Sequence, residues 1–417
     1  MSTPTTSAEP IPRFTIDLSK PPRERYDEVV RVFGARMRSL TGLFDGLLAF
    51  FIASAWLRLV VIGLSRLFLR RVYDDEENEE VRGIAAASGV PLYLLVALNN
   101  LLDVLLGCTS GAVPVSLGRT PGRNGHGTSL DQTRLLHFRT LDWGMDELRD
   151  LLVVLEFVDT SSDNPRWVIA RSITYAGFVG SLTAVIPGLS ISLNYRPCHD
   201  CPSRYLRWHQ LLVLLGRRKS VGSVVRSFLL QPSEQFNATE DDTHSLNTRL
   251  VKRALVLALG PSAPCYLILC DGQEAVVIVK DYITGTVRSA RGFIAQTNHD
   301  PGDHERDAAE QHENGTAYPH GRREVITSAF GVEGWVEEST DRLQCLQEKW
   351  DRLVHRVSAR KLTVPLATTP SITERTLRRW VSDYPTLNEC SHFTAILDPA
   401  MGKIRWLMRG PVEDCEG

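Results

Sequence analysis

The sequence has no excess of either charge. It carries 47 Lys and Arg against 49 Asp and Glu, a formal charge of −2, with the basic residues scattered along the chain. A nucleic-acid binder shows a basic excess or stripe, so no nucleic-acid partner is expected, and no polybasic run marks a membrane patch. Cysteine is sparse: eight in 417 residues, too irregularly spaced for a disulfide framework. Cys198-His-Asp-Cys201 has the spacing of half a zinc site, but no second C-x-x-C or H-x3-H follows. A loop with two thiols or one disulfide is therefore expected rather than a metal. The opening MSTPTTSAEPIPRF has no charged n-region and no apolar h-region, so no signal peptide is expected. Two sequons, at Asn237 and Asn314, matter only to a secreted chain.

Long apolar runs are missing too. The greasiest passage, GLLAFFIASAWLRLVVIGLSRLFLRR, is unbroken only from Gly46 to Leu57, about 12 residues where a span needs about 20. Arg58 and Arg66 interrupt the rest at a cost of about 2.5–3.5 kcal/mol each. A helix buried or lying in a membrane interface is expected over a spanning one. The acidic run DDEENEE that follows reads as a solvated helix end or loop.

What is present is ordinary globular composition, 43% hydrophobic and 23% charged. After a polar tail and a short extended PRFTIDLS, residues from Pro22 to about Leu106 have helical spacing. Past Cys108 the texture changes to short β-rich runs: LLHFRTLDW, LLVVLEFVD and RWVIARSITYAGFVGSLTAVIPGLSISLNYRP. Helical spacing returns over Trp208–Leu230 and Ser245–Leu259. Two strand pairs are then expected, CYLILCDGQEAVVIVKDY with a strong Asp271-Gly272 turn signal, and GTVRSARGFIAQTNHD. Residues 301–324 are almost free of apolar side chains and read as a surface insertion, with His304, His312 and His320 solvated rather than ligating. Two helices, around Glu333–Leu353 and Ser371–Val381, and the strands HFTAILDP and GKIRWLMR complete the chain. This order suggests an α+β layered domain behind an all-helical N-terminal segment.

Several polar residues end or interrupt the strands: Arg139 and Asp142 in HFRTLDWG, Asn194 in SISLNYRP, and Asn298 in FIAQTNHD. Side chains at strand ends are how a rigid sheet presents a site. Taken singly they also fit a surface ion pair and two turn-forming asparagines. Cys108, in GCTSGAV after an apolar helix, is on composition alone a packing residue.

The motifs in order resemble the family of acid ceramidase and N-acylethanolamine-hydrolysing acid amidase, N-terminal-nucleophile hydrolases related to bile-salt hydrolases and penicillin V acylases. The resemblance runs through Ile11-Pro-Arg-Phe14, Glu80-Val-Arg-Gly83, Cys108-Thr-Ser110 and Arg139-Thr-Leu-Asp142-Trp143. It continues through Gly177-Phe-Val-Gly180 with Leu182-Thr183, Ser192-Leu-Asn194 and Gln296-Thr-Asn-His-Asp300, and ends on Pro385-Thr-Leu-Asn388 and HFTAILDPAMGKI. It covers nearly the whole chain.

The resemblance implies a four-layer αββα domain over residues 108–417, made as a precursor with a helical α-chain, residues 1–107. The Cys108 thiol would break the Gly107–Cys108 bond, leaving Cys108 as a new terminus whose α-amine, of unperturbed pKa about 7.7–8.0, is the general base. Asp142 would orient the ammonium, Arg139 would favour the thiolate, and Asn298 would donate its amide to the oxyanion. Where acid ceramidase-like members read Asn-Glu-Arg, this chain has Asn194-Tyr195-Arg196, so the glutamate's role is vacant or passes to Asn194 and Tyr195. The family's later arginine is matched to Arg342, with Arg306 the alternative.

The expected activity is hydrolysis of an N-acyl lipid amide, ceramide first because PTLN and ILDPAMGKI are most like acid ceramidase. N-acylethanolamine hydrolysis is the alternative, and so is amide synthesis through the same thioester. A silent lipid-binding protein is disfavoured by the joint presence of Cys108, Arg139, Asp142 and Asn298. No metal or cofactor is expected. The apolar helices at about 46–69 suit a membrane surface, peripherally, or packing between the two chains. With no visible leader an intracellular site is expected, and the family offers a lysosome- or vacuole-like compartment instead.

Overall fold

The structure is a computed structural model, which describes residues 10–101, 107–119, 131–143, 145–197, 201–230, 250–300 apart from 252–253 and 255–256, 335–361 and 370–411. The chain opens on β1 (Arg13–Asp17), a 3-10 turn (Pro22–Glu24) and five helices, α1 (Asp27–Met37), α2 (Leu40–Phe51), α3 (Ala55–Phe68), α4 (Asp75–Ser88) and α5 (Leu92–Leu101). There follow β2 (Gly107–Arg119), β3 (Asp131–Asp142), α6 (Asp146–Arg149), β4 (Leu152–Val158), β5 (Ala170–Tyr175), β6 (Thr183–Ile186) and β7 (Leu189–Tyr195). Helices α7 (Ser203–Leu214) and α8 (Val221–Leu230) precede β8 (Cys265–Cys270), β9 (Ala275–Lys280), β10 (Gly285–Ala290) and β11 (Ile294–Gln296). Last come α9 (Trp335–Lys361), β12 (Ile372–Thr373), α10 (Glu374–Ser382), β13 (Ser391–Asp398) and β14 (Lys403–Arg409).

Two-residue alternation along the strands builds the layers. Ala112 and Leu135, on one face of β2 and β3, pack on Tyr266, Ile268 and Val277 of β8 and β9. Val113, Val115, Leu136 and Phe138, on the opposite face, pack on Leu346 of α9 and on Leu377, Trp380 and Val381 of α10. The smaller sheet, β11-β2-β3-β13-β14 with β12 paired to β2, thus lies between helices and the larger sheet. The larger sheet, β1-β4-β5-β6-β7-β8-β9-β10, carries α1, α4, α5 and α8 against its other face. The result is the expected four-layer αββα arrangement.

The two sheets meet over a polar seam as well as an apolar one. His137 of β3 is fully buried, with its ring nitrogens 2.9 Å from Ser190 Oγ and 2.9 Å from Ser192 Oγ of β7. Burial holds its pKa down to about 3, with Arg139 adding to the effect, so the ring is neutral.

Four expectations change. The N-terminal segment is not all helical, because β1 pairs in parallel with β4, Arg13 opposite Val154 through Asp17 opposite Val158; alternate burial of Phe14 and Ile16 makes it a sheet edge. The second strand pair is divided between sheets, β10 on β9 and β11 on β2. Ile294 and Ala295 fill the cores on the two faces of the smaller sheet, which draws β11 there. The greasy passage breaks between Phe51 and Ala55, and α3 buries none of its residues: Trp56, Leu59 and Leu67 are 68%, 70% and 57% exposed. Among the described residues no helix is long and apolar enough to cross a membrane.

The acidic run is not simply solvated. Asp74 caps α4 by accepting from the Glu76 and Glu77 amides. Glu80 is fully buried between Arg25, at 2.9 Å, and Arg226 of α8, at 2.5 and 2.7 Å. Cys198, the two sequons and residues 301–324, with Arg306 and their histidines, lie outside the described residues.

Candidate active site

Cys108 is the second residue of β2, and register decides its company. Gly107 lies opposite Asp142, Cys108 opposite Leu141 and Ser110 opposite Arg139. Alternation puts Cys108, Ser110 and Arg139 on the face turned to the larger sheet, and Asp142 on the face turned to α9. Arg139 and Asp142 are therefore not each other's partners, and neither is at the surface.

Arg139 reaches across the sheets to the end of β7. Its Nη1 donates to Ser110 Oγ at 2.9 Å and to Asn194 Oδ1, and its Nη2 donates to the Leu193 carbonyl at 2.7 Å. Ser110 Oγ donates to Asn194 Oδ1 at 2.8 Å. Asn194 Nδ2 donates to the carbonyls of Gln296 and Thr297, 2.9 and 3.3 Å away. Asn194 thereby ties the guanidinium to the loop that leads to Asn298. The Cys108 thiol lies 3.8 Å from the Leu193 carbonyl, beside the same guanidinium.

Asn298 holds the Cys108 nitrogen. The Cys108 main-chain N–H donates to Asn298 Oδ1 at 2.7 Å, and Arg342 Nη2 donates to that oxygen at 3.4 Å. Both groups are donors, which fixes the amide with its oxygen toward Cys108. Its Nδ2 donates to the Tyr195 carbonyl at 2.7 Å. Asn298 thus presents an acceptor to Cys108, and the amide donation expected from it goes to Tyr195, which adds its main-chain carbonyl to the site.

Asp142 is clamped from two sides. Arg342 Nη1 donates to Oδ2 at 2.9 Å, and Ser391 Oγ donates to Oδ1 at 2.6 Å. Arg342, 1% exposed on α9, thus touches both Asp142 and Asn298. One turn earlier on that helix, Ser339 accepts the Asn298 main-chain N–H at 2.8 Å and lies 2.9 Å from His299 Nδ1. All seven residues expected at the site, Cys108, Arg139, Asp142, Asn194, Tyr195, Asn298 and Arg342, come together at one end of the sandwich. Ser110, Ser339 and Ser391 were not foreseen. Ser110 had a signal, the same strand face as Cys108 two residues on; the other two meet the site only through tertiary packing.

The electrostatics are those of a buried site. Burial pushes the Cys108 thiol up to about 11, with Asp142 adding to the rise and Arg139 and Arg342 opposing it. Burial also raises Asp142 from its ordinary value, against the pull of Arg342, Ser391 and Arg139. Cys108 is fully buried, so its sulfur is closed to solvent. Among the described residues no cluster of His, Cys, Asp and Glu has the make-up to hold a metal.

Comparison with known proteins agrees with the motifs. The family model for the beta subunit of N-acylethanolamine-hydrolyzing acid amidase matches residues 9–73. Acid ceramidase of Bos taurus is 26% identical over 317 residues, covering 70% of each chain. The Mus musculus enzyme is 26% identical over 311 residues and the Homo sapiens enzyme 24% over 316, with the same coverage. Among solved structures, the Caenorhabditis elegans N-acylethanolamine-hydrolyzing acid amidase ortholog aligns over 72% of this chain and 100% of its own, at 16% identity and a TM-score of 0.43. That last likeness is too loose to bear on fold or activity. The aligned relatives and the matched N-terminal segment make this chain similar to the amide-hydrolysing enzymes acid ceramidase and N-acylethanolamine-hydrolysing acid amidase.

Proposed function

We propose that this chain is a cysteine amidohydrolase that cuts itself at Gly107–Cys108 and then hydrolyses the amide bond of an N-acyl lipid, ceramide before N-acylethanolamine. The observation that carries the reading is the double hold on Cys108: its nitrogen on Asn298, its sulfur beside Arg139. A cysteine with merely a packing role needs neither.

In the first reaction Cys108 Sγ attacks the Gly107 carbonyl carbon. The C–N bond breaks, the Cys108 nitrogen takes up the thiol proton as it becomes an amine, and Gly107 is left as a thioester. Water cleaves that thioester, freeing the Gly107 carboxylate and restoring the thiol. Asn298 Oδ1 keeps its hold on the nitrogen, now an α-amine, and Asp142, across from Gly107, steadies it when protonated. Thiol and base then belong to one residue, so their proximity is covalent.

In the second reaction the amine takes the thiol proton as sulfur adds to the lipid amide. It passes the proton to the departing nitrogen, and water frees the fatty acid. Arg139 sits where it favours the thiolate over the thiol. The exposed apolar face of α3, with Trp208 and Leu211 of α7 also exposed, supports a peripheral seat on the membrane that holds such a substrate.

The test is expression of the chain and of Cys108→Ala, a denaturing gel, and fatty-acid release from ceramide and from N-acylethanolamine. The wild type should yield two fragments, one ending at Gly107 and one beginning at Cys108, and should release fatty acid; the variant should do neither. A wild type that stays whole and inactive on both lipids removes the proposal. Preferential release from N-acylethanolamine would reassign the substrate and leave the chemistry intact.

A further inference from the structure

We propose that Ser391 is a positioning residue for this reaction: its hydroxyl donates to Asp142 Oδ1 and keeps that carboxylate ionised across the sheet from Gly107. The inference rests on the self-processing amidohydrolase reading above and adds to it the group that sets the charge of Asp142.

Ser391 opens β13 directly opposite Asp142 on β3, just before the register shifts between Ser391 and Phe393. It is fully buried. Its hydroxyl accepts the Asn388 main-chain N–H at 3.0 Å, which leaves its single proton to give. Two acceptors compete for that proton, Asp142 Oδ1 at 2.6 Å and Asn388 Oδ1 at 3.3 Å. The shorter contact to a carboxylate wins, because a charged acceptor makes the stronger bond. The turn itself is held by Ser391 N–H on the Asn388 carbonyl, at 3.0 Å, and Cys390 N–H on Asn388 Oδ1, at 3.1 Å. The main chain on both sides is cross-linked as well: Trp143 N–H donates to the Cys390 carbonyl at 2.7 Å, and His392 Nε2 lies 2.9 Å from the Trp143 carbonyl. A carbonyl only accepts, so Nε2 carries the proton and Nδ1 takes the Tyr175 hydroxyl at 2.8 Å. The hydroxyl is therefore delivered to Asp142 by a frame that cannot drift.

Asp142 needs this help. The charged and titratable groups facing it are Arg342 of α9, Arg139 of its own strand, Cys108 of β2, Tyr175 of β5, and Glu389 and Cys390 of the turn before β13. Burial and Glu389 raise its pKa; Arg342, Ser391 and Arg139 lower it. Arg342 occupies one oxygen and Ser391 the other. Losing the Ser391 proton shifts the balance toward the neutral acid, which cannot hold an ammonium.

The experiment compares wild type, Ser391→Ala and Ser391→Thr for self-cleavage and for fatty-acid release from ceramide across pH 4–8. Asp142 must be ionised to act, so its protonation sets an acid limb. Ser391→Ala should move that limb upward by about one pH unit, a tenfold change in ionisation equivalent to about 1.4 kcal/mol. Rate below the limb should fall about tenfold with KM unchanged, and Ser391→Thr, which restores the hydroxyl, should return the limb toward wild type. Profiles of Ser391→Ala and wild type that overlie one another overturn the role of Ser391 alone. So does loss of cleavage in Ser391→Ala that Ser391→Thr fails to rescue, since that is the mark of packing. A wild type that neither cuts itself nor releases fatty acid overturns the amidohydrolase reading, and the role of Ser391 with it.

Discussion

Glu80 joins parts of the chain that lie on opposite sides of the Gly107–Cys108 bond, and its removal should be among the costliest single changes in the protein. The residue stands in α4, as does Glu77; Arg25 precedes α1, and Arg226 belongs to α8, well beyond Cys108. Glu80 is fully buried, accepts 2.9 Å from Arg25 and 2.5 and 2.7 Å from Arg226, and neither arginine is more than 8% exposed. Close approach is built in: a Cβ on Gly83, one turn later, would lie 2.0 Å from the Arg23 carbonyl. Glu80→Ala leaves two buried guanidinium groups short of a carboxylate, and breaking a buried pair in this way costs about 3–5 kcal/mol. That is a large part of the roughly 5–15 kcal/mol that holds a typical domain folded. The measurement is urea denaturation of Glu80→Ala in the Cys108→Ala background, where the chain stays whole, followed by far-ultraviolet circular dichroism. Glu80→Gln, which keeps volume and loses charge, should fall between Glu80→Ala and the parent. A loss under about 1 kcal/mol for Glu80→Ala would refute the reasoning, because it would mean the arginines find water or other acceptors on their own. In the self-cut protein the same change should loosen the two chains from each other.

Glu77 beside it makes stability depend on pH. Burial pushes its carboxyl up to about 7 from 4.5, opposed by Arg226 and Ser223. The folded state then keeps a proton that the unfolded state releases, so this contribution falls as pH rises from about 4.5 to about 7, by roughly 3 kcal/mol. Urea midpoints of Glu77→Gln at pH 4.5 and pH 7 should differ less than those of the parent. Gly111→Ala puts a Cβ 2.2 Å from the Ile294 carbonyl and 2.5 Å from Phe138 Cζ. Such overpacking costs about 1–3 kcal/mol; since β11 leads to Asn298, a lower melting temperature should come with slower self-cleavage on a gel time course. Trp56→Glu combined with Leu59→Glu should weaken co-sedimentation with phosphatidylcholine–ceramide vesicles at least tenfold while self-cleavage in solution is unchanged, because α3 gives no residue to the Cys108 site. Equal sedimentation would remove the peripheral seat proposed for α3.

The layered class was legible because strand alternation and helical spacing are local properties, written residue by residue. LLVVLEFVD and HFTAILDP each became the strand their pattern announced, and CYLILCDGQEAVVIVK became the expected pair. Pairing is not local. Nothing in GTVRSARGFIAQ says that its two halves join different sheets; that follows from which core has room for Ile294 and Ala295. The acidic run read as solvated for the same reason, since Glu77 and Glu80 are buried only because Arg25 and Arg226 arrive from distant segments.

The site divides along the same line. Ordered motifs named Cys108, Arg139, Asp142, Asn194, Tyr195, Asn298 and Arg342, because chemistry that needs a thiol, a cation, a carboxylate and amides leaves its residue types in the sequence. Which atom of each meets which was decided by register and packing. Arg139 faces the larger sheet while Asp142 faces α9, and Asn298 turns its oxygen to Cys108 because its neighbours there are donors. Ser339 and Ser391 entered only when a helix and a strand from the far end of the chain closed over Asn298 and Asp142. A hydroxyl has no sequence signature of its own; its partner, set by the tertiary fold, is what gives it a role.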